Sequence, residues 1–205
     1  VTSTDEATTG RQQRADARRN AAAILDAATR CLARDPDASI NEIAKAAGVG
    51  RVTLYGHFDT RATLVGAVVD RAMQDAEAAL SAVDLSGDPV DALRRLIDAT
   101  WTITNRYGAL VVAAERTLPG GEMEAAHEAP RARAERLLER GRAEGRFRDD
   151  LPVSWLVTML HTATHAASAA VYAGEMAAED APRAIAATML GLLTPPGGVV
   201  PDPRG

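Results

Sequence analysis

The chain is expected to be all-α: an N-terminal three-helix helix-turn-helix domain followed by a larger C-terminal helical domain. Three observations lead there. About a fifth of the 205 residues are alanine and only 3% are aromatic, a balance that favours helix over sheet. Apolar residues recur at three- and four-residue spacing, punctuated by Gly and Pro. Ser39–Arg61 encodes two short helices joined by only Gly48-Val49-Gly50, so the two must cross steeply.

Taken in order, residues 1–13 are expected to be a loose tail. The first helix is carried by Ile24, Leu25, Ala28 and Leu32, with Cys31 on the same side as a buried thiol. Ser39 can accept from the Glu42 N–H while the Glu42 carboxylate reaches back, a capping box that fixes the second helix start. Ile43, Ala44 and Ala47 follow at helical spacing, and Gly48 can take the left-handed stop conformation. In the third helix Leu54 and Phe58 face inward with Val49. A helix over Arg61–Val83, with Leu64, Val68 and Met73, is expected to be the only covalent link between the two domains. Leu85-Ser-Gly-Asp-Pro89 breaks the chain.

Val90–Arg106 then carries Leu93, Leu96, Ile97, Thr100, Trp101 and Thr104 along one side. Gly108 is expected to loosen the chain before a buried Ala109–Ala114 helix, which Pro119-Gly-Gly121 ends. Met123–Glu144 contains Pro130, which should kink or divide it, and pairs Arg131 with Glu135 and Arg140 with Glu144 on a solvated face. Asp150 can cap Leu151–Ala173, with Pro152 in its first turn. The last helix, from about Asp180 to Leu193, stops at Pro195-Pro196, and 195–205 reads as a flexible tail. The domains are therefore drawn at 14–60, with the motif at 39–58, and 61–194.

The third helix sorts its residues by face. With Leu54 and Phe58 inward, Arg51, Thr53, Tyr55 and His57 are left outward, and Arg61 lies just beyond. Eight residues give a helix of ~12 Å, and the DNA major groove is ~12 Å wide. Arginine can fork onto guanine or a phosphate, while hydroxyls and a histidine N–H are ordinary phosphate donors. Gly56 lets the helix approach a surface closely. An alanine-rich hairpin inside a larger bundle would leave Tyr55, His57, the capping box and the glycine turn as coincidences. Charge agrees with DNA: nine basic residues face six acidic ones between Gly10 and Arg61, whereas the whole chain carries −5. So small an excess predicts weak binding by one head and a need for two.

The segment resembles the DNA-binding domain of the TetR family of bacterial transcriptional regulators. The resemblance begins at Arg14-Ala-Asp-Ala-Arg-Arg-Asn20, runs through Ile24-Leu-Asp-Ala-Ala28, and ends near Leu64. Gly48-Val-Gly-Arg-x-Thr-Leu-Tyr-x-His-Phe-x-Thr-Arg61 carries most of it. Gly50 stands where a serine is frequent, and Arg61 where a lysine is usual, which keeps the charge. The resemblance implies a regulator, a repressor of a palindromic operator released by a small-molecule ligand. It also implies a homodimer joined through the last two helices, whose Ala163, Ala166, Ala167, Ala169, Ala170, Ala184, Ala187, Leu190, Gly191 and Leu192 would permit close approach. The candidate DNA-contacting set is Asn41, Arg51, Val52, Thr53, Tyr55, His57, Thr60 and Arg61. Tyr55, His57 and Arg61 are assigned to phosphates, Thr53 to a phosphate or a thymine methyl, and Arg51, beside Val52, to a base.

The C-terminal domain holds the candidate ligand residues Trp101, Tyr107, Met159, His161 and His165, with Trp155 as a further apolar wall; ordinary core packing competes for each. His161 and His165 stand four apart, a spacing that can bind zinc, which leaves an alternative: a helical metal- or ligand-binding protein with no DNA role. A third ligand is not evident, since His127, Glu115 and Asp180 are only possibilities. No glutamate lies between the histidines as a metalloprotease helix needs, and no phosphate-binding glycine loop or nucleophile elbow occurs. An enzyme is not expected, nor is a cofactor or metal. One cysteine excludes an internal disulfide. With no eighteen-residue apolar run and no leading targeting signal, no membrane partner and a cytoplasmic location are expected.

Overall fold

The computed structural model describes residues 2–117 and 128–204. Among them are eight helices and no strand: α1 Thr2–Arg34, α2 Ile40–Ala47, α3 Arg51–His57, α4 Arg61–Ser81, α5 Pro89–Thr117, α6 Glu128–Ala143, α7 Val153–Tyr172 and α8 Ala181–Leu193. The described residues divide into two compact units, 2–72 with 109–117 (the head) and 73–108 with 128–204 (the body). Both α4 and α5 contribute to each unit, so α4 is not the only link.

In the head, Ile24, Ala27, Ala28 and Leu32 of α1 lie buried with Ile43 and Ala44 of α2 and Leu54 of α3. Cys31 is only partly buried. Val65, Val68 and Val69 of α4 and Leu110, Ala113 and Ala114 of α5 are also buried. Residues 2–13, expected to be loose, continue α1 back to Thr2.

The body core collects Leu93, Leu96, Ile97 and Trp101 of α5 with Leu137 and Leu138 of α6, Leu156 and Leu160 of α7, and Ile185, Met189 and Leu190 of α8. The expected break at Gly108 is absent, because α5 runs unbroken from Pro89 to Thr117. A Cβ at Gly108 would stand 3.1 Å from the Ser168 hydroxyl, so this glycine makes room for α7 rather than ending a helix. Gly141 of α6 plays the same part more tightly. A Cβ there would sit 2.9 Å from Cγ of the buried Phe147 and closer still to its ring-edge carbons.

Pro130 falls in the first turn of α6 as described, where its missing N–H is harmless, and α6 runs on past it to Ala143; the expected division of Met123–Glu144 lies partly outside the described residues. Met123, His127 and the Pro119-Gly-Gly121 stop lie outside the described residues. Asp150 does not cap α7: Pro152 is the cap residue, and the Asp150 carboxylate accepts from Arg148 Nε and Nη2 at 2.7 and 2.8 Å. Asp180 occupies the α8 cap position without a side-chain bond to the backbone. The C-terminal stretch is tied down as well. Arg94 of α5 donates to the Asp202 carbonyl, and Gly198 N–H donates to the Pro195 carbonyl at 2.9 Å.

Candidate nucleic-acid interface

α2 begins and ends as its caps dictate. Ser39 Oγ accepts from Glu42 N–H at 3.2 Å, and Glu42 Oε2 accepts from Ser39 N–H at 2.7 Å, which is the capping box. These bonds from Ser39 hold the Glu42 carboxyl below its ordinary range. Gly48 takes φ 71°, and its N–H donates back to α2, as a left-handed helix stop requires. Gly50 starts α3 with no side-chain cap.

α3 is then held by Leu54, fully buried, and Phe58, with Val49 half-buried beside them. Arg51, Val52, Thr53 and Gly56 face solvent; Tyr55 and His57 are half-buried. The Arg51 guanidinium lies 5.4 Å from the Tyr55 ring centroid, so the two side chains form one cation–π unit. Asn41 is exposed in the first turn of α2. The motif thus presents one convex strip of donors plus a single apolar side chain.

Two expected contacts have other tasks. Thr60 Oγ1 accepts from Thr63 N–H at 3.0 Å and caps α4, a role its Thr-x-x-Thr spacing could have announced. Arg61 is half-buried and turned inward: it donates to the Ala38 carbonyl, and to that of Pro36 at 2.9 Å. The same α1–α2 connection is gripped a second time, since Arg116 of α5 meets both oxygens of Asp37 at 3.0 and 2.9 Å. No spacing pattern points to a pair 79 residues apart.

The candidate ligand residues all lie in the body. Trp101 and Tyr107 are each 5% exposed; the indole N–H donates to the Ala178 carbonyl at 3.0 Å and the phenol to Asp75 at 3.4 Å. Met159 packs against the core, whereas Trp155 is half-exposed. His161 is exposed and His165 half-buried, with ring centroids 4.2 Å apart. Among the described residues no three His, Cys, Asp or Glu side chains gather to hold a metal ion. An open cleft of about 390 Å³ lies elsewhere in the body, lined by Met73, Gln74, Ala76, Glu77, Ala129 and Pro130. Its Glu77 carboxylate is bonded by Arg133 at 2.6 Å, which holds it below the usual carboxylate range. None of the five expected ligand residues lines this cleft. No described helix is long and apolar enough to cross a membrane.

A capped helix joined by a glycine turn to a second helix with a donor-lined outer strip, in an all-helical chain, defines a helix-turn-helix DNA-binding regulator. Comparison with known proteins places it further. Residues 24–68 match the family model for bacterial regulatory proteins of the tetR family. An uncharacterised HTH-type transcriptional regulator of Mycobacterium tuberculosis is 35% identical over 143 residues, 67% of this chain and 70% of that protein. The HTH-type transcriptional repressor LfrR of Mycolicibacterium smegmatis is 41% identical over 78 residues, 38% of this chain and 41% of that protein. The crystal structure of LfrR in complex with proflavine superposes with a TM-score of 0.69 at 25% identity, covering 86% of this chain and 97% of that one. A TetR-family regulator from Agrobacterium tumefaciens gives a TM-score of 0.73 at 23% identity, over 87% and 99% of the two chains. The chain belongs to the TetR family, whose members are transcriptional regulators rather than enzymes.

Proposed function

We propose that the protein is a repressor that binds a near-palindromic operator as a homodimer and leaves it when a small molecule occupies the body. The outward strip of α3 carries this reading: four donor side chains beside a helix start that is exposed among the described residues. Arg51 is assigned to a base edge, Tyr55, His57 and Thr53 to phosphates, and Asn41 to the flanking backbone. Thr60 and Arg61 sit at the rim, with their caps and carbonyls as first duty.

The dimer is assigned to the outer faces of α7 and α8. Ala166 and Ala169 of α7 and Ala187 and Gly191 of α8 are solvent-exposed in the single chain, and a Cβ at Gly191 would meet open space. Ala167 and Leu190, by contrast, are buried in the chain's own core. Two-fold symmetry then requires inverted half-sites about one helical turn apart, ~34–36 Å, or a multiple.

For the effector, the Met73–Pro130 cleft is one open volume among the described residues of the body, and Trp101, Tyr107, Met159, His161 and His165 remain the alternative set. Proflavine, held by LfrR, is the first compound to try. Binding-site selection with the full chain should return an inverted repeat, and sedimentation should give two chains per duplex. A protein that stays monomeric at micromolar concentration and holds one half-site tightly refutes the dimer. A compound that releases the operator should fail on Met73→Trp if the cleft is its site. It should fail instead on Trp101→Ala, His161→Ala or His165→Ala if the alternative set holds it.

A further inference from the structure

Val52, in the first turn of α3, is 87% exposed, the one exposed large apolar side chain among the described residues of the head. A β-branched residue there is a poorer helix former than Ala, Glu or Lys and touches no core. Packing among the described residues does not account for it. Gly56 lies four residues on, hence on the same face of the helix. Its φ is not positive, and a Cβ built there meets nothing within 4 Å. Gly56 therefore neither turns the chain nor makes room for a neighbour, although glycine within a helix is unfavourable relative to alanine. An apolar knob beside a bare patch of backbone fits an outer surface that presses close and carries a small apolar group of its own.

The surrounding side chains Arg51, Thr53, Tyr55 and His57 specify that surface as a nucleic-acid duplex. In the major groove the apolar group on a base edge is the C5-methyl of thymine. We propose that Val52 packs on the C5-methyl of one thymine in each half-site, with Gly56 giving α3 the close approach this contact needs. This rests on the operator reading above, and it takes the thymine methyl from Thr53, leaving that hydroxyl to a phosphate.

The test removes the methyl from the DNA and the side chain from the protein in turn. Each thymine of a selected operator is replaced singly by deoxyuridine, and affinity is measured for the full-length wild type, Val52→Ala and Gly56→Ala. Wild type should lose roughly fourfold at one position per half-site, the value of burying one methyl group, and about fifteenfold when both half-sites are changed. Val52→Ala should be weaker on the thymine operator and indifferent to deoxyuridine at that same position. Gly56→Ala should fold with a raised Tm yet bind every version of the operator more weakly. Wild type indifferent to deoxyuridine everywhere, or Val52→Ala keeping the full deoxyuridine penalty, overturns the assignment while leaving the operator reading intact. Failure of the wild type to bind any duplex takes both down.

Discussion

Arg61 offers a direct contest between two roles, a phosphate contact and an internal brace. Its guanidinium donates to the Pro36 and Ala38 carbonyls, two residues apart on the α1–α2 connection, and the side chain is half-buried. A hydrogen bond from a charged donor contributes about 1.5–3 kcal/mol. Allowing for water to reach the freed Pro36 carbonyl, Arg61→Ala should cost about 2 kcal/mol. In a chain of this length that corresponds to roughly 4–8 °C of Tm. A phosphate contact makes a different forecast: the slope of log affinity against log salt should fall by about 0.9 for each head, ~1.8 for a dimer. The brace predicts a lowered Tm with the salt slope unchanged. Arg61→Lys sharpens the contrast, because an ammonium keeps the charge for a phosphate but cannot fork between two carbonyls. It should therefore lose stability nearly as Arg61→Ala does. An Arg61→Ala protein with wild-type Tm and a slope reduced by ~1.8 refutes the brace.

Three further outcomes are expected. Arg51→Ala should relax preference at one base pair of each half-site, by about 1–3 kcal/mol, in a binding-site selection; an unchanged preferred sequence would show that Arg51 does not read a base. Gly141→Ala should lower stability by about 1–3 kcal/mol, since the new methyl meets the buried Phe147 ring. Without that clash the same change inside a helix would stabilise by about 1 kcal/mol, so the sign of the shift in urea midpoint decides. Glu42→Gln tests the capping box through pH. The Glu42 pKa is lowered in the folded state by its Ser39 bonds, so its contribution is present above the unfolded value of about 4.3 and is lost as pH falls through the folded one. The gap in Tm between wild type and Glu42→Gln should therefore be widest near neutrality and close toward pH 3.

What was legible in the sequence was local. Ser39, Glu42 and Gly48 act within a few residues of one another, and the structure has their capping box and left-handed stop as spacing predicts. Leu54 and Phe58 likewise follow from helical period. What was not legible depended on partners far along the chain. Gly108 reads as a breaker until Ser168, sixty residues on, is placed beside it; Asp150 differs, since its carboxylate goes to a near neighbour, Arg148, that competes with the cap. Arg61 carries the charge a phosphate wants, and only the folded position of Pro36 and Ala38 shows where that charge goes. For the ligand set, pocket wall and core packing stay competing readings. Trp101 and Tyr107 have the size and polar tips that a pocket uses, and the same size places them in the interior.

The composition of the head from two separate stretches bears on its use as an exchangeable part. Regulators of this architecture invite cut-and-paste chimaeras in which one recognition motif is grafted onto another sensor. Here a single cut after Ala72 would leave behind residues 109–117, whose buried Leu110, Ala113 and Ala114 belong to the head and whose Arg116 grips Asp37. A graft would have to carry both stretches, or supply from its new host a helix that ends in the same small apolar residues and a matching arginine. The transferable unit is therefore α1–α3 and α4 as far as Ala72, together with the far end of α5.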